Sequence, residues 1–256
     1  MILEGKVLAV IGGNGLVGVE TVNSIVKHGG TVETGSRSGN IVPTLLDNFS
    51  YEERKRVNAT KVDVNNPESV EIFFKDILQR HGQCNGVINL SFPRNEQFGA
   101  KFEDVTYSSF LENVGNHLGG AFLVCQKAAA ILTSQDSCSI VNCASVYGFM
   151  TPRFDIYKNT HMTKEVEYIT AKAAIIQLTR YLAQYLKRKG FRINCISPGG
   201  ILDSQPQPFV DRYNAQCNIK GMLDSKDIVG TIVFLLSDLS THLTGQNIVV
   251  DDGFSL

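Results

Sequence analysis

Short apolar runs alternate along this chain with longer segments whose apolar residues recur every three or four positions. The runs at residues 6–11, 31–35, 57–64, 85–90, 139–144, 192–197 and 247–250 read as strands. Helical spacing follows the first run to about residue 28, and covers about 67–81, 107–132, 164–187 and 225–236. Pro67 opens the second of these helices. Strands that are apolar on both faces, separated by helices, predict a seven-stranded parallel sheet covered on both sides, an α/β doubly wound architecture. No shift in composition marks a linker and no repeat is visible, so residues 1–256 are expected to form a single domain.

Composition narrows the function classes. The 256 residues are 43% hydrophobic and 19% charged, with a formal net charge of −1, which is ordinary for a soluble enzyme-sized domain. No basic run is long enough for a nucleic-acid surface. Lys187-Arg188-Lys189 is short and reads as a charged helix end. No apolar run is long enough to span a bilayer, and the chain opens on a strand rather than a leader, so the cytoplasm is the expected compartment. The sequons at Asn48, Asn58 and Asn89 are then coincidental. Six cysteines are scattered without a Cys-x-x-Cys pair or a zinc-like spacing, and no metal site is expected. Cys125, Cys143 and Cys195 lie in apolar runs and read as small core residues.

Three stretches carry the chemistry, and their order matters. The first is Gly12-Gly13-Asn14-Gly15-Leu16-Val17-Gly18, between a strand and a helix. Glycines there allow a tight turn and close approach of a pyrophosphate, with the helix N-terminus facing the negative charge. This predicts a Rossmann-type dinucleotide site. The second strand ends at Gly35-Ser36-Arg37-Ser38, with no acidic residue after Glu33, which lies inside the strand. Ser36 and Arg37 suit a ribose 2′-phosphate, so NADP(H) is favoured over NAD(H); the alternative for Arg37 is a plain exposed loop arginine. The other two stretches are Ser145, after an apolar run, and Tyr168-Ile169-Thr170-Ala171-Lys172. Tyr168 and Lys172 share a helix face, where an ammonium would lower the phenol's pKa and let Tyr168 exchange a proton with a carbonyl or alcohol oxygen that Ser145 also holds. The spacing alone is weak, since Tyr51/Lys55 and Tyr185/Lys189 repeat it. Only Tyr168/Lys172 falls between Ser145 and a Pro198-Gly199 turn.

With those stretches, Asp63-Val64, Asn89, Leu235-Leu236-Ser237-Asp238 and the ending Thr244-Gly245-Gln246…Val250-Asp251-Asp252-Gly253, nearly the whole chain resembles the short-chain dehydrogenase/reductase family. The resemblance implies that Tyr168 is the acid/base and that Lys172 also binds the nicotinamide ribose. It implies adenine contacts from Asp63 and Val64, and cofactor contacts from Asn89. Pro198 and Gly199 would back the nicotinamide, with Ile201 beside them. It further implies a homotetramer built on the two long helices. Phe92-Pro93-Arg94-Asn95, His117-Leu118-Gly119 and the tail from Val250 to Leu256 are similar to reductases of bacterial flagellin modification and nonulosonate-type sugar pathways.

Several positions depart from the family's pattern. Ile11 replaces the threonine before the first glycine, and Asn89-Leu90-Ser91-Phe92 replaces Asn-Asn-Ala-Gly. His117 stands where a proton-relay asparagine is usual, and reads either as a relay titrating near neutrality or as a packed core histidine. Asp203 replaces a threonine that helps to hold the carboxamide. The interval between Ser145 and Tyr168 is long, and its extra segment, about 149–167, is expected to bring Arg153, Lys158 and Lys164 near the site mouth. Arg94 and Arg153, with Lys158, then suit a phosphate or carboxylate on a small-molecule substrate, or are solvated loop charges. The leading reading is an NADP(H)-dependent oxidoreductase interconverting a hydroxyl and a carbonyl on a polar, sugar-like substrate. The rival is a catalytically weak dinucleotide-binding scaffold, motivated by the altered relay and carboxamide positions.

Overall fold

A computed structural model describes all residues except Asn48, Asp136 and Arg188; the sequon at Asn48 and the middle of the basic helix end lie outside the described residues. Seven strands form one parallel sheet: β1 (Val7–Ile11), β2 (Thr31–Ser36), β3 (Val57–Lys61), β4 (Gly86–Asn89), β5 (Cys138–Cys143), β6 (Phe191–Pro198) and β7 (Asn247–Val250). Their order is β3-β2-β1-β4-β5-β6-β7, every pairing parallel. The sequence therefore foretells the architecture. The order reverses direction between β1 and β4, and a doubly wound sheet opens its ligand crevice at the carboxyl ends of the strands at that switch.

Strand alternation sorts the core into two layers. On β1, Val7, Ala9 and Ile11 face α4 (Pro67–His81) and α6 (Gly120–Ile131), where they meet Phe73, Phe74, Ile77 and Val124. Leu8 and Val10 face α1 (Leu16–Lys27) and α9 (Val229–Leu236), meeting Val22, Ile25, Ile232 and Leu235. Each fully buried aliphatic or aromatic side chain contributes roughly 1.5–3 kcal/mol, so both faces of the sheet are strongly specified. The termini of α4 follow local chemistry. The Asn66 side chain accepts from Ser69 N at 3.0 Å, Pro67 occupies the first turn, and Gly82 ends the helix in the left-handed region. Cys84, Cys125, Cys138 and Cys195 are buried, and burial raises the Cys125 and Cys195 thiols to about 12.

The remaining helices show what the pattern of the chain hid. Short α2 (Pro43–Leu46) and α3 (Tyr51–Arg54) lie between β2 and β3. The expected helix 107–132 is α5 (Tyr107–Val114) joined to α6 through a π-helical turn at Gly115–Gly119. Helix α7 (Val166–Tyr185) is shorter at both ends than its apolar pattern suggests, and α8 (Gln207–Asn214), whose Phe209, Val210 and Tyr213 have helical spacing, falls where no helix is expected. Helix α8 brings Phe209, Val210 and Tyr213 to a third apolar cluster with Tyr147, Ile156, Tyr157, Met222 and Phe254, roofing the carboxyl ends of the strands. No helix among the described residues is long and apolar enough to cross a membrane.

Candidate active site

The loop between β1 and α1 depends on two glycines. Gly12 has φ +87°, and a Cβ there would meet the Leu90 carbonyl carbon at 2.9 Å. A Cβ at Gly18 would lie 2.1 Å from the Gly12 oxygen, so α1 packs onto its own loop only with glycine there. No side chain caps α1, which leaves its first N–H groups facing the crevice. The Asn14 amide reaches Ser36 Oγ at 3.3 Å and Asn40 O at 2.6 Å, tying this loop to the turn after β2. Arg37 is exposed in that turn. Glu33 is turned the other way and fully buried: Arg80 Nη1 lies 2.5 Å from one oxygen and His81 Nε2 2.6 Å from the other, where Asn58 also donates at 3.0 Å. No carboxylate of β2 is therefore offered to a ribose.

A cavity of about 650 Å³ runs from this loop across the ends of β4, β5 and β6. It is large enough for a dinucleotide's reactive half together with a small substrate. Gly12, Gly15, Leu16, Val17, Ser145, Tyr168, Lys172, Pro198, Gly199 and Ile201 line it, with Arg94 and Asp203 also on its wall. Arg37, Asp63, Val64 and Asn89 lie off that wall. Asp63 accepts from Asn65 N at 3.0 Å, and Val64 is buried in the core. Asn89 Oδ1 accepts from the Ser91 amide at 3.1 Å and the Ser91 hydroxyl at 2.6 Å.

Ser145 follows β5 and caps a short 3₁₀ turn, accepting from Tyr147 N at 3.2 Å. Tyr168 lies on the first turns of α7. Burial raises its phenol well above the ordinary value, and a hydrogen bond from Ser145 offsets only part of that rise. This corrects the expectation that a neighbouring ammonium lowers it. Lys172 is buried, and its Nζ donates to Cys143 O at 2.7 Å and sits 5.5 Å from the Tyr168 ring centroid. Burial also depresses the Lys172 pKa, with Lys164 adding to the fall. The other two Tyr-x-x-x-Lys pairs stack on exposed surface, Lys55 over Tyr51 and Lys189 over Tyr185.

His117 is held by the π-helical turn, a distortion often found at functional sites. It is buried, and its ring lies 4.5 Å from the Phe92 ring and 6.1 Å from that of Tyr168. Neither ring nitrogen has a hydrogen-bond partner. Burial first, and the Lys172 charge second, push its pKa down to about 3. Burial thus favours the neutral imidazole, which supports the packed reading over a relay that titrates near neutrality. A second void of about 10 Å³, the size of one water, lies among Asn89, Ser91, His117, Asn142 and Lys172.

Of the three cations expected from the extra segment, only Lys164 reaches the cavity wall. Arg153 is not on the cavity wall. It donates to Gln216 Oε1 and to Leu256 O, each at 2.8 Å, and its guanidinium lies 5.2 Å from the Phe254 ring centroid. It fastens the C-terminal tail, whose groups complete a bidentate partner better than solvent does. Lys158 is exposed and pairs with Asp155 at 2.7 Å. Lys164 does reach the wall, with Glu165 beside it. Tyr213 escapes a reading of the sequence altogether: stacked on Phe254 at 4.0 Å, its hydroxyl accepts from Gly200 N at 2.5 Å and props the Pro198–Ile201 wall. Its only sequence signal is the aromatic pair Phe209/Tyr213, four residues apart.

These features coincide with what is known of other chains. A family model described as enoyl-(acyl carrier protein) reductase matches residues 17–255. The chain belongs to the short-chain dehydrogenase/reductase family, NAD(P)-dependent oxidoreductases acting on CH–OH groups. It is 33% identical to post-translational flagellin modification protein A of Campylobacter coli, over 99% of this chain and 100% of that one. It is 26% identical to the probable galactose dehydrogenase GalD of Rhizobium meliloti, over 98% and 95% of the two chains. A solved short-chain dehydrogenase of Leptospira borgpetersenii with bound NAD+ superposes with a TM-score of 0.87 at 29% identity, covering 99% of this chain and 94% of that one.

Proposed function

We propose that the chain is an NADP(H)-dependent oxidoreductase that interconverts a hydroxyl and a carbonyl on a sugar-like or phosphorylated small molecule in a glycan-modification pathway such as that of flagellin. The convergence of Ser145, Tyr168 and Lys172 on the cavity that the glycine loop opens carries this reading. The glycine loop fits a dinucleotide, because Gly12, Gly15 and Gly18 line the cavity and the uncapped N-terminus of α1 faces it. Asn14, Gly15, Leu16 and Val17 would hold the pyrophosphate, Ser36 and Arg37 a 2′-phosphate, Asp63, Val64 and Asn89 the adenine half and its flank, and Pro198, Gly199 and Ile201 the nicotinamide. When bound, that group supplies or accepts the hydride.

The protein's own residues handle the oxygen and its proton. Tyr168 is protonated at neutral pH and can donate to a carbonyl oxygen, and a bound substrate oxygen with the Lys172 charge would offset the burial that holds its pKa up. Ser145 hydrogen-bonds the same oxygen and fixes its position. Lys172, anchored on Cys143 O, keeps a positive charge beside the phenol as the proton leaves. The water-sized void offers a route from Lys172 toward Ser91 and His117, where a neutral imidazole passes a proton by exchanging tautomers. The whole of residues 1–256 acts as one catalytic unit in this reading, in the cytoplasm.

Turnover with NADPH and a panel of keto sugars and sugar phosphates tests it. Tyr168→Phe keeps the ring and loses the acid. Turnover should fall about 10²–10⁴-fold, with NADPH affinity and melting temperature nearly unchanged. Full turnover in this variant would leave the scaffold reading, or another acid, in its place.

A further inference from the structure

The segment ahead of α7 brings a charged pair to the cavity that the chemistry above does not use. Lys164 and Glu165 both line the wall. Lys164 Nζ lies 4.0 Å from the Tyr168 ring centroid and 5.3 Å from that of Tyr147. The two side chains are largely withdrawn from solvent, 18% and 14% exposed, and Nζ is 3.1 Å from Glu165 Oε2. Yet that oxygen is buried and has no hydrogen-bond partner, so the contact lies outside hydrogen-bonding geometry and the carboxylate is left short of partners. A half-buried ion pair with unfilled hydrogen bonds is costly to hold unless something completes it. Apolar side chains would close this wall at lower cost.

The charges on the wall indicate what completes it. Its Arg, Lys, Asp and Glu residues are Arg94, Lys164 and Lys172 against Glu165 and Asp203, a formal excess of one positive charge among the described residues. Lys172 is committed to Cys143 O, and Arg94 is exposed at the mouth. Lys164 is thus the cation placed next to the reacting phenol and open to a ligand. An ammonium beside an acceptor carboxylate matches an anionic, hydroxyl-rich molecule.

We propose that Lys164 and Glu165 form the substrate-recognition pair: Lys164 takes a carboxylate or phosphate of the substrate, and Glu165 accepts from its hydroxyl groups. The assignment rests on the reading of this cavity as the site of a sugar-like substrate, and it gives Lys164 the role that Arg153 cannot fill.

Calorimetric titration with D-glucuronate, glucose 6-phosphate and glucose tests the pair without requiring turnover. Titrations are run with saturating NADP+ and, separately, NAD+. At least one anionic probe should bind tenfold or more tightly than glucose, and the tighter of the two identifies carboxylate or phosphate as the favoured group. Lys164→Met should erase that preference while leaving glucose within about twofold, and Lys164→Arg should retain it. Glu165→Gln should weaken all three probes together. Lys164→Gln supplies the same comparison if the methionine variant does not fold. Equal binding of the three probes, no binding of any, or an undiminished preference in Lys164→Met overturns the proposal. Tyr168→Phe reports on the reaction and keeps the ring beneath Lys164, so the two readings fail separately.

Discussion

At the scale of single residues, the proposed preference for NADP(H) rests on Arg37. Glu33 is buried and held by Arg80, His81 and Asn58, so the end of β2 presents serines and an exposed guanidinium where a ribose would lie. Arg37→Ala should weaken NADPH binding by about 1–3 kcal/mol, the worth of a charge-assisted hydrogen bond, and leave NADH binding nearly as it was. Fluorescence titration of both nucleotides checks this; tighter NADH binding in the parent protein would reverse the assignment. Arg153 shows why the residue scale is hard to read from sequence. Its position between Ser145 and Tyr168 suggests a place at the site mouth, but its partners, Gln216 and the terminal Leu256, come from remote parts of the chain and hold it off the cavity wall. Charge and spacing carry no record of which distant group will consume a guanidinium.

At the scale of elements, the parts written most plainly in the chain are the strands. Buried parallel strands are mostly apolar on both faces, and Val7–Ile11, wholly apolar and wholly buried, is the plainest of them. The glycine loop is legible for a similar reason, because close backbone approach excludes a Cβ. The π-helical turn at Gly115–Gly119 and helix α8 are harder to read: one extra residue in a turn leaves the apolar period almost intact, and α8 is only eight residues long, with three buried side chains to mark its face. The π turn has a measurable consequence through His117. Its pKa falls from 6.5 to about 3 on folding, so the unfolded chain binds a proton that the folded one refuses between those values. Its contribution is complete above pH 6.5 and is lost progressively as pH falls, at about 1.4 kcal/mol per pH unit. Urea unfolding at pH 7.5 and pH 5 should show the parent losing about 2 kcal/mol more than His117→Asn over that interval. An identical loss in both would mean that the imidazole is protonated in the native protein. Measured alongside, unchanged stability at pH 7.5 with reduced turnover marks the relay, and a proportional loss of both marks a packing role.

At the scale of the whole molecule, the helices on one side of the sheet leave a broad apolar surface uncovered. Tyr107, Leu111 and Phe122 on α5 and α6, and Tyr181 and Tyr185 on α7, are between 46% and 78% exposed. Tyr181 and Tyr185 stack with each other at 5.7 Å, which presents a flat aromatic plate rather than isolated side chains. Large exposed apolar side chains grouped on neighbouring helices mark an interface more often than a free surface, and a stable interface needs about 1,200–2,000 Å² in total. Two long helices can supply that by packing against their copies across a two-fold axis, and a second two-fold axis then generates a tetramer. The inner faces of the same helices hold Val124 and Leu182 in the core and place Tyr168, Lys172 and His117. Association would therefore brace the catalytic wall from behind. Light scattering at micromolar concentration should give four times the chain mass. Tyr181→Glu with Leu111→Arg, placed on exposed positions that a lone chain tolerates, should lower that mass and reduce turnover together. A monomeric parent at the same concentration would refute the assembly, and a dissociated variant with full turnover would show that the site is complete within one chain.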